Sequence, residues 1–149
     1  MLQAAERKYD FLTHFEGKVA TIRDSFMHLV TPHIPHNEPT ATLTFFKTLE
    51  DTDVLQLVTH HPATTCPLDP IPSAVLQSKS GELLPYLSSI INTSLTCAHV
   101  PVVFKTARVT PLLKKPSLDP SDVRNYHPVS LLPFLSKTLE RAVLTELWR

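Results

Sequence analysis

Proline restricts this chain more than any other residue: 14 prolines stand against only 2 glycines in 149 residues. Each proline fixes its own φ, removes one backbone donor and drives the residue before it out of helical conformation. A chain cut in this way folds as short segments joined at rigid breaks rather than at flexible turns. Gly17 and Gly81 lie far apart in the sequence. That excludes the glycine-rich loop of a phosphate cradle or a dinucleotide site.

Between the proline breaks, apolar spacing marks the elements. Leu12, Phe15, Val19, Ile22, Phe26 and Leu29 recur at three- and four-residue steps, which predicts one helix over 2–29 with Arg7, Lys8, Lys18, Arg23 and Asp24 on the other face. The plain reading docks that helix on its own domain. The alternative is a coiled coil, whose seam of about three heptads is at the lower limit for such a structure. TPHIPHNEPT at 31–40 reads as a linker, and Thr42–Lys47 as a short extended piece. A short helix fits 50–60, with Val54, Leu55 and Val58 inward and Glu50, Asp51 and Asp53 at the positive end of its dipole. After a loop at 62–72, one or two helical turns fit 73–79. A stronger helix runs over Leu84–Thr96 on a stripe of Leu84, Leu87, Ile91 and Leu95, with Pro85 in its first turn and Pro101 beyond its end. Thr106–Leu113, interrupted by Pro111, suits an edge strand. A polar loop over 114–127 leads to a short strand at Val129–Leu131. A final helix over Pro133–Trp148 is expected to bury Leu135, Leu139, Val143 and Leu147. The fold class is therefore mainly α with a small β element. The helices are expected at about 27, 10, 13 and 16 residues.

Net charge is zero, but the two ends differ: residues 1–100 carry 6 Lys/Arg and 10 Asp/Glu, residues 101–149 carry 8 and 4. This asymmetry points to an anionic partner for the last third. Lys105, Arg108, Lys114, Lys115 and Arg124 lie within twenty residues of one another, on the predicted edge strand and the loop after it. Such a cluster can neutralise phosphates without reading sequence, although composition alone reads a basic run as an ordinary solvated face. Cys66 and Cys97 form no CxxC pair, so a reducing compartment is expected. There is no apolar run of membrane-spanning length and no apolar leader after MLQAAERKYD, so the chain is expected to be intracellular, in nucleus or cytoplasm. Asn92-Thr93-Ser94 matches a glycosylation sequon inside a helical pattern and is read as chance. His33, His36, His60, His61 and Cys66 are too scattered for a regular zinc site. No Cys/His or Ser/His pair comes with a positioning third group. Glu50-Asp51-Thr52-Asp53 is explained by its helix start, so no metal site is expected there.

Three stretches carry a resemblance: CPLDPIPSAVLQ from Cys66, LLPYLSSIINTSL, and VPVVFKTARVTPLLKKPSLDPSDVRNYHPVSLLPFLSKTLERAVLTEL ending at Leu147. They resemble LINE-type (non-long-terminal-repeat) retrotransposon reverse transcriptases, both in words and in spacing. YDFLTHFEGKVATIRDSF upstream looks like the segment joining endonuclease to polymerase in those proteins. The resemblance implies three regions: 1–30 as an endonuclease-to-polymerase linker helix, 31–65 as a proline-rich linker with a short helix, and 66–149 as the start of the polymerase fingers. The fold implied is an incomplete part of an α+β polymerase. It also implies that Lys105, Arg108, Lys114, Lys115, Arg124 and His127 contact nucleic-acid backbone. Tyr126-His127-Pro128-Val129-Ser130 departs from the family pattern, which has arginine where this chain has His127. Histidine offers at most one donor when neutral, against the permanent charge and forked donors of arginine.

Polymerases of that family hold Mg²⁺ on palm aspartates, including a Tyr/Phe-x-Asp-Asp turn, because phosphoryl transfer needs carboxylates to clamp the metals. No Asp-Asp pair occurs in this sequence. The expectation is a remnant of an RNA-directed DNA polymerase with no cofactor of its own, inactive alone, binding RNA or DNA weakly through 105–124. Its oligomeric state is undetermined. The alternatives are a non-enzymatic protein- or RNA-binding module using the first helix or the basic segment, and a piece of an active reverse transcriptase.

Overall fold

The computed structural model describes residues 2–27, 43–64 and 66–148. The proposed linker at 31–40, with His33 and His36, lies outside the described residues, as does Leu29. The described residues are mainly helical, with one two-stranded sheet among them. Its elements are α1 (Leu2–Phe26), α2 (Asp51–Thr59), α3 (Ser73–Ser78), α4 (Ser80–Thr96), α5 (Val102–Lys105), β1 (Arg108–Leu113), a 3₁₀ turn at Val123–Asn125, β2 (Tyr126–Leu131) and α6 (Phe134–Leu147). They fall into two compact units, Met1–Pro39 with Val109–Val129, and Thr40–Arg108 with Ser130–Arg149.

The second unit holds the core. α2 supplies Val54 and Val58, α3 Leu76, α4 Leu87, Ile91 and Leu95, and α6 Phe134, Leu139 and Ala142. Removing a side chain such as Ile91 from water is worth roughly 1.5–3 kcal/mol, so this cluster is the main source of the unit's stability. Polar groups then fix the elements to one another. The Asn92 side chain accepts from the Leu49 N–H at 2.8 Å and donates to the Leu49 carbonyl at 3.0 Å. Ser88 Oγ donates to Asp51 Oδ1 at 2.5 Å, and the Gln77 amide donates to the carbonyls of Val58 and His61 at the end of α2. Asp69, in the loop before α3, accepts from the first N–H of α6, that of Phe134, at 2.9 Å. A carboxylate there satisfies a donor the helix leaves free and meets the positive end of its dipole.

Several boundaries differ from the sequence expectations. α4 starts four residues before Leu84, so Pro85 lies inside it rather than in its first turn. The buried Ser80 and the Lys79–Glu82 ion pair at 3.0 Å support the extra turn. α6 buries Phe134, Thr138, Leu139, Ala142 and Glu146, and leaves Leu147 exposed. Phe134, 2% exposed behind Pro133, sets that rotation. α5 and the 3₁₀ turn, each at most one turn long, have no apolar period from which to be read.

In the first unit, α1 meets the hairpin through Phe11 and Tyr126, edge to face with ring centroids 4.8 Å apart. Phe11 also stacks on Phe15 at 6.0 Å, and the Arg7 guanidinium donates to the Pro120 carbonyl. Phe11, His14 and Phe15 are half-buried, whereas Leu12, Val19, Ile22 and Phe26 are 47–62% exposed. The apolar stripe read from the sequence is thus mostly uncovered, because the aromatic contacts turn the helix onto its Phe11 side.

Candidate nucleic-acid interface

The basic segment is built on the β1–β2 hairpin. Pro111 and Pro128 sit one in each strand; a two-stranded sheet has only edge strands, where a missing N–H is tolerated. The connection is closed by local hydrogen bonds. The Lys114 N–H donates to the Asn125 carbonyl at 2.8 Å. Asp119 accepts from the Ser121 N–H at 2.8 Å and from its hydroxyl at 2.6 Å, and its carbonyl accepts from the Asn125 amide at 3.0 Å. The Tyr126 hydroxyl donates to the Pro120 carbonyl at 2.9 Å. Asp122 caps the 3₁₀ turn, accepting from the Arg124 N–H at 2.9 Å. These are the local bonds that aspartate and asparagine make in turns.

The six candidate residues take different places. Arg124 faces Asp122 as a fork, with Nε 3.0 Å from both carboxylate oxygens and Nη2 2.8 Å from Oδ2. The fork holds the Asp122 carboxyl below the usual carboxylate range and raises the arginine further, while the Ser121 hydrogen bonds lower Asp119 in the same direction. Lys114 Nζ donates to the Arg124 carbonyl at 2.8 Å, across the neck of the loop. Lys114 and Arg124 therefore both hold the loop in shape, although the Arg124 side chain remains 79% exposed. Lys115 and His127 are exposed, and their side chains have no polar partner among the described residues. Lys105, at the end of α5, and Arg108, the first residue of β1, are likewise exposed and unpartnered, and both belong to the other unit. The hairpin thus brings together Lys114, Lys115, Arg124 and His127.

What the sequence reading missed is how the loop is held. Asp119 and Asp122 make the turns of the loop, and Asp122 also pairs with Arg124. The signal was present in the Asp-Pro-Ser-Asp order, since aspartate two residues before a free N–H is an established turn former. Among the described residues, no three of His, Cys, Asp and Glu come together to hold a metal ion. His61 is pushed below the ordinary histidine range by burial, then by nearby Arg141 and His60. Cys66 is buried, with its Sγ 3.6 Å from the Leu131 carbonyl. No helix among the described residues is long and apolar enough to cross a membrane.

No protein-family model matches the chain. Two curated relatives do. The RNA-directed DNA polymerase from the mobile element jockey of Drosophila funebris is 38% identical over 78 residues, and that of Drosophila melanogaster is 35% identical over 78 residues. Each match covers 49% of this chain and 8% of the relative, so the chain spans a small part of the length of the proteins it resembles. Identity at this level across both species agrees with the resemblance carried by the three sequence blocks. Over about half its length, the chain is therefore similar to the RNA-directed DNA polymerases of jockey mobile elements, which are LINE-type elements.

Proposed function

We propose that this chain is the fingers-entry piece of a LINE-type reverse transcriptase, holding nucleic acid by its backbone and carrying out no nucleotide transfer by itself. The relationship to the jockey polymerases carries this reading. The exposed, unpartnered Lys115 and His127 on a stapled hairpin support it. Helices and hairpin together are read as the beginning of an α+β polymerase fold. Cations held on a rigid loop release counterions from a phosphate chain and so give affinity that falls with salt and ignores base sequence. The lack of any Asp-Asp pair in the sequence supports the non-catalytic part.

The test is fluorescence anisotropy with an unstructured labelled RNA across a salt series. Lys115→Ala removes a charge that makes no structural hydrogen bond. It is expected to lower the salt slope by about 0.7, the value for one single-strand phosphate contact. His127→Arg is expected to steepen the slope by a similar amount and to tighten binding. Lys114→Ala is a poorer probe because it also opens the loop neck. Affinity indifferent to salt and to the joint Lys105→Ala, Arg108→Ala and Lys115→Ala change would overturn the binding reading. Primer extension by the pure 149-residue chain with Mg²⁺ would overturn the non-catalytic one.

A further inference from the structure

The uncovered stripe of α1 faces a groove of about 1680 Å³, lined by Phe15, Val19 and Ile22 on one side and by Val109, Pro111 and Pro128 of the hairpin on the other. All of these residues belong to one unit. The stripe follows a strict three-four spacing, Leu12, Phe15, Val19, Ile22, Phe26, which places Leu12, Val19 and Phe26 at a and Phe15 and Ile22 at d of a heptad. The same numbering puts Glu16 and Arg23 at e, and Lys18 and Ser25 at g. Gly17 falls at f, away from the seam, where an added Cβ would meet nothing within 4 Å.

The flanking charges choose the partner and its direction. In two parallel helices, g of one faces the next e of the other, which would set Lys18 against Arg23 twice. In two antiparallel helices, e faces e. With Val19 layered on Ile22 and Phe15 on Phe26 of the other copy, Glu16 then meets Arg23 twice and Lys18 meets only Ser25. Like charges across such a seam oppose pairing and opposite charges favour it, so the sequence disfavours one direction and supports the other. Glu16, Lys18 and Arg23 are all exposed and have no ion pair among the described residues, so each is available. The pairing is self-complementary, as a two-fold interface requires.

We propose that α1 is a self-association helix: two copies of the chain pair antiparallel through Phe15, Val19, Ile22 and Phe26, with the hairpin wall of each copy flanking the other's helix. The inference stands on the α1 geometry and charges and is independent of the nucleic-acid reading. The test is sedimentation velocity on the full chain from low to several hundred micromolar, with and without charge reversals. A dimer is expected. Glu16→Arg and Arg23→Glu should each weaken it roughly fivefold, through two repelling pairs at an exposed seam. The doubly swapped E16R/R23E chain should recover the original affinity. Val19→Asp with Ile22→Asp should abolish the dimer while circular dichroism stays unchanged, since neither side chain is buried within its own chain. A chain monomeric throughout the range overturns the proposal and leaves the groove to another occupant. A dimer that Arg23→Glu strengthens overturns it as well, because only the parallel arrangement gains from that change.

Discussion

The side-chain amide of Asn92 meets both backbone polar groups of one residue, Leu49, forty-three positions away. Leu49 is buried, so its N–H and C=O have no water to turn to. Asn92→Ala leaves both without a partner, and an unmet buried group costs about 1–3 kcal/mol. The expected outcome is a loss of that size in urea or thermal unfolding, with the native far-ultraviolet spectrum retained. A change of only a few tenths would mean that the pair is replaced by water. None of this is readable from the sequence, where Asn92 stood in a chance glycosylation sequon. The bond depends on α4 packing beside the residues that precede α2, and local pattern carries no such long-range information. Asp69 is a similar case: in the sequence it is a loop acid between prolines, in the structure it caps α6 across sixty-five positions. The acids at Asp51 and Asp53 were legible, because their place at a helix start follows from the dipole alone.

Among the elements, the helices with a long apolar period were legible and their ends were not. α4 shows why at both termini. Pro85 alone suggests a first-turn residue and a later start, while Ser80 and the Lys79–Glu82 pair carry the helix another turn forward. Its end is set by Ala98, which has a φ of +48°. The N–H of His99 donates to the Ser94 carbonyl at 3.0 Å, the wrapped-back bond of a helix that finishes in a left-handed residue. Glycine is the usual occupant there, since a Cβ in that conformation costs about 1–2 kcal/mol. The sequence, short of glycine, gives no stop signal except Pro101. Ala98→Gly is expected to stabilise the chain by about 0.5–1 kcal/mol, part of the relieved strain being offset by the greater freedom of an unfolded glycine. The measurement is the urea midpoint at unchanged slope, and a lower midpoint would count against the strained cap. In the hairpin the candidate cations were legible as a cluster, whereas the division between loop-holding Lys114 and Arg124 and unengaged Lys115 and His127 follows only from the folded bonds.

Across the whole molecule, burial is unevenly shared. Each residue of the apolar core belongs to the unit made of Thr40–Arg108 and Ser130–Arg149. In the other unit no described residue is fully buried, and α1 and the hairpin rest on Phe11, Phe15, Tyr126 and a set of exposed polar bonds. A helix of 25 residues is long enough to form, but without a buried face it opens at little cost. Local opening free energies run from near zero in such segments up to the global value in a packed core. Hydrogen exchange on the full chain at low concentration is therefore expected to split. Amides of α2, α4 and α6 around Val58, Ile91 and Ala142 should exchange on the order of a hundredfold more slowly than those of α1 around Val19, a difference of about 3 kcal/mol. Raising the concentration discriminates further. If α1 pairs with a second copy, protection should rise over 12–26 and stay constant in the core helices, because binding stabilises only the state that binds. Uniform protection over the chain at low concentration would contradict the uneven core, and slow exchange confined to α1 would reverse it.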